Sequence, residues 1–457
     1  MNNLPADPSP SVASRWFAWL SPAPPRPQLP PGEIERLYPR YRWRIFEASF
    51  IAYASFYLVR NNFAPVSKEI GAALHYDKIM IGNILAVTAM AYGVGKFVMG
   101  VFSDRSDARK FVALGMVLTA AINFIFGASS SYSMHLLLWT LNGFVQGMGY
   151  GPCCRGLSHW YSVKERGTVF GAWNISHNLG GGLAGYLAAN CAFYWGWRSA
   201  FYVPAVIATI CAAYLFWRMR DTPQSVGLPP IEQYKIDERA EPAIERTASV
   251  RELLLRYILP NKMLWVLSFA NLFVYIARYA MVDWGPTYLK ETKGASLKEG
   301  GASTLVIEFA GAFGMILMGW VSDKIGGWRG RVSALSMLPL LIVFPAIRYT
   351  PAGMLWLDMT LFAVIGFFVY TPVLFSGVIS LDLTDKRAAG TAAGFVGMFG
   401  YIGRVIQGKG LGWIAQNYGW NPALWSVVGC AAAGIILLAC LWNVRPKVTF
   451  KTGEGVP

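Results

Sequence analysis

Seven ionisable side chains stand inside stretches that are otherwise apolar: Arg60, Lys96, His177, Arg278, Glu308, Arg404 and Lys409. Charge held away from water is costly and is generally kept for a function or a partner. The cations outnumber the carboxylates, because only Asp283 and Glu308 offer negative charge at comparable depth. A guanidinium fork matches the oxygens of phosphate or carboxylate bidentately, so a surplus of this kind suits the binding of an oxyanion. The alternative is that each arginine pairs with a carboxylate and serves structure alone. His177 lies in the passage Trp173-Asn174-Ile-Ser-His177-Asn178-Leu-Gly-Gly-Gly182. It titrates near neutral pH and can add a donor or a charge, although a lone histidine more often packs against a neighbour. Lys96 follows Tyr92 by one helical turn and Tyr53 precedes Arg60 by two, which lets aromatic hydroxyls line the same cavity.

Catalytic chemistry finds no footing. The chain has no phosphate-binding P-loop, no HExxH zinc site and no GxSxG elbow. Its six cysteines show neither zinc-type nor disulfide-framework spacing. No catalytic residue, metal or cofactor is expected, the chain reads as not an enzyme, and any work it does must draw on a gradient.

The elements that position these residues follow from composition. Of 457 residues, 54% are hydrophobic and 14% charged, with 18 Trp, 22 Tyr and 27 Phe. A soluble domain carries about 25% charged residues. Apolar runs of about 20 residues recur, long enough to cross a bilayer as helix. Hydropathy places spans near 44–66, 79–102, 111–129, 132–155, 167–190 and 199–217, then near 263–289, 301–322, 332–349, 354–379, 388–415 and 422–443. The expected organisation is a tail over 1–43, a six-helix bundle over 44–217, a linker over 218–262, a second bundle over 263–443 and a tail over 444–457. The Pro-rich tail lacks the apolar core of a signal peptide. The net charge of +15 concentrates in the tail, the linker and alternate loops, which puts both termini in the cytoplasm by the positive-inside rule. Charge dispersed among short loops argues against nucleic acid as a partner.

The two halves repeat. Tyr57-Leu-Val-Arg60 matches Tyr275-Ile-Ala-Arg278, and Gly100-Val-Phe-Ser-Asp104-Arg105 matches Gly319-Trp-Val-Ser-Asp323-Lys324, at offsets of 218 and 219. Gly167-Thr168 matches Gly390-Thr391, and Gly196-Trp197 matches Gly419-Trp420, at 223. Parallel repeats of six helices imply a pseudo-twofold axis along the membrane normal, with a site between the halves at mid-depth. Arg60 and Arg278 are then symmetry mates. Asp104, Arg105, Asp323 and Lys324 occupy matched turns, where the aspartates are expected to act as a gating latch with Arg109, Arg329 or Arg331.

These passages resemble the organophosphate:phosphate antiporter family of the major facilitator superfamily, from about residue 36 to 445. The resemblance rests on Tyr57-Leu-Val-Arg-Asn-Asn-Phe63, Ala91-Tyr-Gly-Val-Gly-Lys-Phe-Val-Met-Gly100, Trp173 to Gly182, Phe273-Val-Tyr-Ile-Ala-Arg-Tyr279 and Ala388-Ala-Gly-Thr-Ala-Ala-Gly394. The linker passage Met219-Arg-Asp-Thr-Pro-Gln-Ser-Val-Gly-Leu-Pro-Pro230 agrees as well. The resemblance implies an all-α, twelve-helix fold in a bacterial inner membrane, monomeric, working by rocker-switch alternating access. It implies that Arg60 and Arg278 grip phosphate beside His177 and Lys96, and that Tyr53, Tyr57, Tyr92, Asn174, Tyr275, Tyr370 and Tyr401 line or close the pocket. Inorganic phosphate leaving would drive uptake of an organophosphate, glycerol-3-phosphate first. A hexose 6-phosphate, a phosphoglycerate, a membrane sensor and a proton-coupled symporter using Glu308 stand as alternatives. Arg404 and Lys409 depart from the glycerol-3-phosphate branch, which has small residues there. They are candidates for selectivity, at most one of them facing the cavity, unless Arg404 pairs with Asp283 or Glu308.

Overall fold

A computed structural model describes residues 19–103, 106–235, 254–384 and 389–444. Backbone amides have no water to bond in a hydrocarbon layer, so spanning segments must satisfy themselves as helix. Each expected span finds one. The first half contains α1 (Pro31–Leu58), α2 (Lys78–Ser103), α3 (Ala108–Ala128), α4 (Tyr132–Trp160), α5 (Val163–Trp195) and α6 (Ser199–Arg218). The second contains α7 (Lys262–Thr292), α8 (Leu297–Lys324), α9 in two pieces (Arg329–Met337 and Leu340–Tyr349), α10 (Leu355–Asp382), α11 (Ala389–Asn417) and α12 (Trp420–Ala439). The division of α9 falls at Pro339, which supplies no amide for the preceding turn. No strand occurs among the described residues.

Eight of these helices are long and apolar enough to cross a membrane on their own. The others, α1, α4, α5 and α11, carry buried polar groups: Ser49 and Ser55 on α1, Asn142 and Gln146 on α4, His177 and Asn178 on α5, and Arg404 and Gln407 on α11.

One difference from the hydropathy reading concerns the site directly. The expected first span runs to residue 66, but α1 ends at Leu58 and the chain unwinds before a short 3₁₀ turn, Ala64–Val66, and a short helix, Ser67–Leu74. The carbonyls exposed by this break are taken up by side-chain amides. Asn123 and Asn142 each donate to the Val59 carbonyl at 2.9 Å, and Gln146 donates to that of Phe56 at 3.0 Å. Asn62 in turn donates to Asn123 and to the Ala200 carbonyl at 2.9 Å. Arg60 therefore stands at the end of a broken helix, whereas its mate Arg278 stands inside the unbroken α7.

The halves pack through two equivalent interfaces, α2 against α11 and α5 against α8. Small residues permit the approach: a Cβ at Gly82 would lie 2.5 Å from the Gly408 carbonyl oxygen, and one at Gly301 only 2.2 Å from the Ala189 methyl. Hydrogen bonds between the halves, among the described residues, lie at mid-depth or on the face remote from the termini. On that face the Ser67 and Thr287 hydroxyls meet at 3.0 Å, and Lys68 donates to the Lys290 carbonyl at 3.1 Å. Lys290 reaches the Pro65 carbonyl at 2.8 Å and Glu69 at 2.7 Å, and Lys78 pairs with Glu291 at 3.1 Å. This face is closed.

Asp104 and Arg105 of the expected latch lie outside the described residues, as does the side chain of Asp323, whose backbone lies in the last turn of α8. Lys324 is exposed, 5.7 Å over Trp320. The basic residues expected to face these aspartates are engaged elsewhere. Arg329 pairs with Asp382 at 2.6 Å, Arg331 donates to the Trp442 carbonyl at 3.1 Å, and Arg109 lies 3.9 Å from Asp107.

The closed face can be checked by cross-linking. Mild oxidation of the Ser67→Cys/Thr287→Cys variant should remove both new thiols from maleimide labelling in most molecules. Retention of both thiols would show that this closure is not a populated state.

Candidate functional site

The α1 break and the uninterrupted α7 bring Arg60 and Arg278 into one buried cluster between the halves. Both guanidiniums are nearly inaccessible, with residue exposures of 6% and 5%. Arg60 lies between two rings, 3.9 Å from the centre of Tyr57 and 4.6 Å from that of Tyr92. Arg278 lies 4.1 Å from the Tyr370 ring and 4.9 Å from that of Tyr279, and donates to the Tyr370 hydroxyl at 2.9 Å. Ring faces attract a cation without consuming its N–H groups. The Nε atoms of both arginines are buried without a hydrogen-bond partner.

Two aromatic arcs join the arginines. In one, Tyr57 lies 5.9 Å from the His177 ring, which stacks at 6.5 Å on Tyr370. In the other, Tyr92 meets Tyr401 at 5.0 Å, Tyr401 meets Tyr275 at 5.9 Å, and Tyr275 meets Tyr279 at 5.6 Å. Tyr53 extends the first arc, 5.4 Å from Tyr57 and stacked at 4.7 Å on Trp173. Lys96 lies over Tyr150 at 4.0 Å, and Tyr150 packs on Tyr53 at 5.8 Å. His177 Nδ1 contacts the Asn174 carbonyl, one turn back on α5. All eleven residues expected to bind substrate thus fall in one connected cluster.

The charges in this cluster do not balance. Arg404 forms a bidentate pair with Asp283, at 3.0 and 3.2 Å, and lies 3.9 Å over Tyr279. Glu308 accepts from Asn178 at 3.0 Å and stands 3.8 Å from Arg278. Among the described residues, Arg60 and Lys96 have no carboxylate within ion-pair distance. The two carboxylates offset two cations, which leaves two positive charges without a carboxylate partner among the described residues. Beyond Arg60, a small cavity lined by Asn61, Thr88, Asp283, Thr304 and Arg404 has room for about one water.

The chain that folds into these two helical halves matches the model of the Major Facilitator Superfamily over residues 49–408. The chain belongs to that superfamily. Its family and curated relatives make it a membrane transporter and not an enzyme. It is 40% identical over 430 residues to a probable hexose phosphate transport protein of Chlamydia trachomatis, covering 91% of this chain and 94% of the relative. It is also 40% identical over 442 residues to the glycerol-3-phosphate transporter of Bacillus subtilis, covering 94% and 98%. The membrane sensor protein UhpC of Escherichia coli is 36% identical over 412 residues, covering 90% and 93%. Among solved structures, a bacterial homologue of the human lysosomal transporter Spinster shares the fold with a TM-score of 0.70 at 16% identity, covering 88% of this transporter and 96% of that chain.

Lys409 is exposed on α11 and stands outside the cluster. Five residues along a helix rotate a side chain by about 140° from Arg404, which separates the two. Sequence reasoning missed Tyr279, Tyr150 and Asn178. Tyr279 and Asn178 adjoin Arg278 and His177 in the chain, yet nothing in their types distinguishes them from packing residues.

The Arg404–Asp283 pair makes a stability prediction. Breaking a buried pair from one side costs about 3–5 kcal/mol because the remaining charge is stranded. Asp283→Asn should therefore lower the melting temperature of the purified protein markedly, and Asp283→Asn/Arg404→Gln should recover much of the loss. A double variant no more stable than the single one would remove the pair as the cause.

Proposed function

We propose that this transporter exchanges a phosphate ester for inorganic phosphate, with glycerol-3-phosphate as first choice of ester. The observation that carries the reading is the surplus of two positive charges without a carboxylate partner among the described residues, at buried Arg60 and half-buried Lys96, beside an Arg278 whose Nε has no partner. A phosphoryl dianion supplies the missing charge and accepts from guanidinium edges that the tyrosine rings leave free. The relatives named for glycerol-3-phosphate and hexose phosphate at 40% identity support a phosphate ester as the substrate class. Their equal identity keeps hexose 6-phosphate as the second reading. In this reading Tyr53, Tyr57, Tyr92, Asn174, Tyr275, Tyr370 and Tyr401 line the pocket, and His177 donates to the phosphoryl group. The Lys and Arg distribution orients both termini toward the cytoplasm, and the two halves rock about the site.

Coupling follows from electrostatics. Two unit charges about 8 Å apart at an effective dielectric of about 20 repel by roughly 2 kcal/mol, and more as water leaves. A bound dianion reverses the sign. The empty carrier then crosses its closed state roughly thirty-fold more slowly than the occupied one for each 2 kcal/mol. Differential affinity for the anion in the closed state is sufficient to couple the two fluxes.

Two measurements test the reading. Arg60→Lys and Arg278→Lys should each abolish most phosphate exchange in proteoliposomes, because a point charge does not reproduce the fork. Near-normal exchange in both would remove the arginine grip. Efflux of preloaded glycerol-3-phosphate should accelerate at least tenfold when phosphate is present outside. Equal efflux with and without phosphate would overturn antiport, and saturable binding without any turnover would place the protein with the sensors.

A further inference from the structure

The end of α6 leaves Phe216 and Trp217 uncovered, at 43% and 62% exposure, on the face that carries the termini. Arginines gather round this aromatic ridge. Arg109, from the first turn of α3, lies 4.8 Å over Phe216, and Arg44, from α1, lies 5.8 Å from the Trp217 ring. Arg220 caps the end of α6 by donating to the Trp217 and Met219 carbonyls at 2.8 and 2.6 Å. The N-terminal arm brings Arg26 to the same place, because its backbone amide donates to Gln224 at 2.9 Å and that of Leu29 to Gly227 at 2.8 Å.

The carboxylates near this cluster are already committed. Glu47 pairs with Arg218 at 2.7 Å and accepts from Tyr214. Asp221 accepts from the Ala108 and Ala23 amides at 3.0 and 3.2 Å and faces Arg155 at 3.5 Å. Asp107 caps α3 through the Arg109 amide at 2.9 Å and lies 3.8 Å from Lys110. Among the described residues, Arg26, Arg44 and Arg220 have no carboxylate within ion-pair distance. Burial and the neighbouring Arg109, Arg44 and Arg26 guanidiniums hold Arg220 below its usual range. Arg44 Nε is buried without a hydrogen-bond partner.

We propose that Arg26, Arg44, Arg109 and Arg220, beside the Phe216–Trp217 ridge, bind the phosphodiester headgroup of an anionic phospholipid. Exposed tryptophan at the end of a membrane span marks headgroup depth, and Trp43 on α1 is likewise exposed at 62%. A phosphodiester there replaces mutual repulsion of the guanidiniums with charge-assisted hydrogen bonds, while the acyl chains cover the ridge. Among the described residues, the pseudo-symmetric place in the second half lacks this concentration of charge. There Arg331 lies 3.6 Å over Trp328 and donates to Trp442 and Asn443, and the adjacent Arg329 is paired with Asp382. Arg331 is therefore an internal control.

The test titrates the detergent-solubilised full chain with dioleoylphosphatidylglycerol or dioleoylphosphatidylcholine and counts retained lipid by native mass spectrometry. Each juxtamembrane arginine strengthens attraction to anionic lipid roughly fivefold, so the wild type should prefer phosphatidylglycerol by at least that factor. The preference should fall toward parity in Arg44→Gln/Arg220→Gln and persist in Arg331→Gln. In the wild type it should also weaken as salt rises from about 0.05 to about 0.5 M, which needs no variant. Parity between the lipids in the wild type would overturn the proposal, as would equal loss in Arg331→Gln. Displacement of the lipid by about 10 mM inorganic phosphate would overturn it too, assigning the cluster to a free anion.

Discussion

An arginine removed from water needs a counter-charge or the faces of aromatic rings, and among the described residues Arg60 has rings but no carboxylate within ion-pair distance. Tyr57 and Tyr92 bracket its guanidinium, while the nearby carboxylates serve Arg404 and Arg278. Ring faces offset part of the desolvation cost yet leave the Arg60 Nε–H without an acceptor. The aromatic arcs, the pairing of Asp283 and the amide network under α1 all sit around this unbalanced charge. A carboxylate placed opposite Arg60 would make a quieter core and would cancel the charge that the proposed exchange reading relies on. The imbalance persists because tightly packed helices hold the charges in place at a cost each would otherwise relieve by moving.

The break in α1 links that charge to the geometry of closure. Ending the helix at Leu58 frees carbonyls that would be expensive in hydrocarbon, and Asn123, Asn142 and Gln146 accept that burden from α3 and α4. The freed chain then turns across the remote face, where Pro65, Ser67 and Glu69 meet Thr287 and Lys290 of α7. Arg60 and the closing contacts thus lie within ten residues of one another on a segment anchored at both ends. Movement of either is transmitted to the other through covalent chain, with no need for a longer path.

Much of this was legible in the sequence, and the limits are physical. Apolar runs at bilayer length and a repeat at near-constant offset were enough for the helices and for pairing Arg60 with Arg278. The family model and the relatives bear out that fold. The end of α1 was hidden because Val59-Arg-Asn-Asn-Phe63 contains neither Gly nor Pro, and the amides that permit the break come from other helices. The choice of Asp283 over Glu308 by Arg404 depends on the register of α11 against α7, which no local pattern encodes. Lys290 falls just past the expected end of the seventh span at 289, yet its side chain is almost wholly buried in the contact between halves. The matched aspartate motifs were easy to find and fall largely outside the described residues.

The duplication explains the fold better than it explains the site, because the halves have diverged where charge matters. At the offset that relates α2 to α8, Tyr92 corresponds to Gly311 and Glu308 to Ala89. The loss of a ring at Gly311 is what admits Tyr370: a Cβ there would stand 2.6 Å from the Tyr370 ring, whose hydroxyl accepts from Arg278. Each arginine is therefore covered by a tyrosine from a different helix of its half. At the offset that relates α5 to α11, Arg404 corresponds to Gly181, where a Cβ would stand 3.1 Å from the Glu308 carboxylate. The second half thus holds both carboxylates and a further arginine, while the first holds the lysine, the histidine and the arginine without an acid. A symmetric scaffold carries an asymmetric field, so a ligand with one charged end and one neutral end meets two different halves.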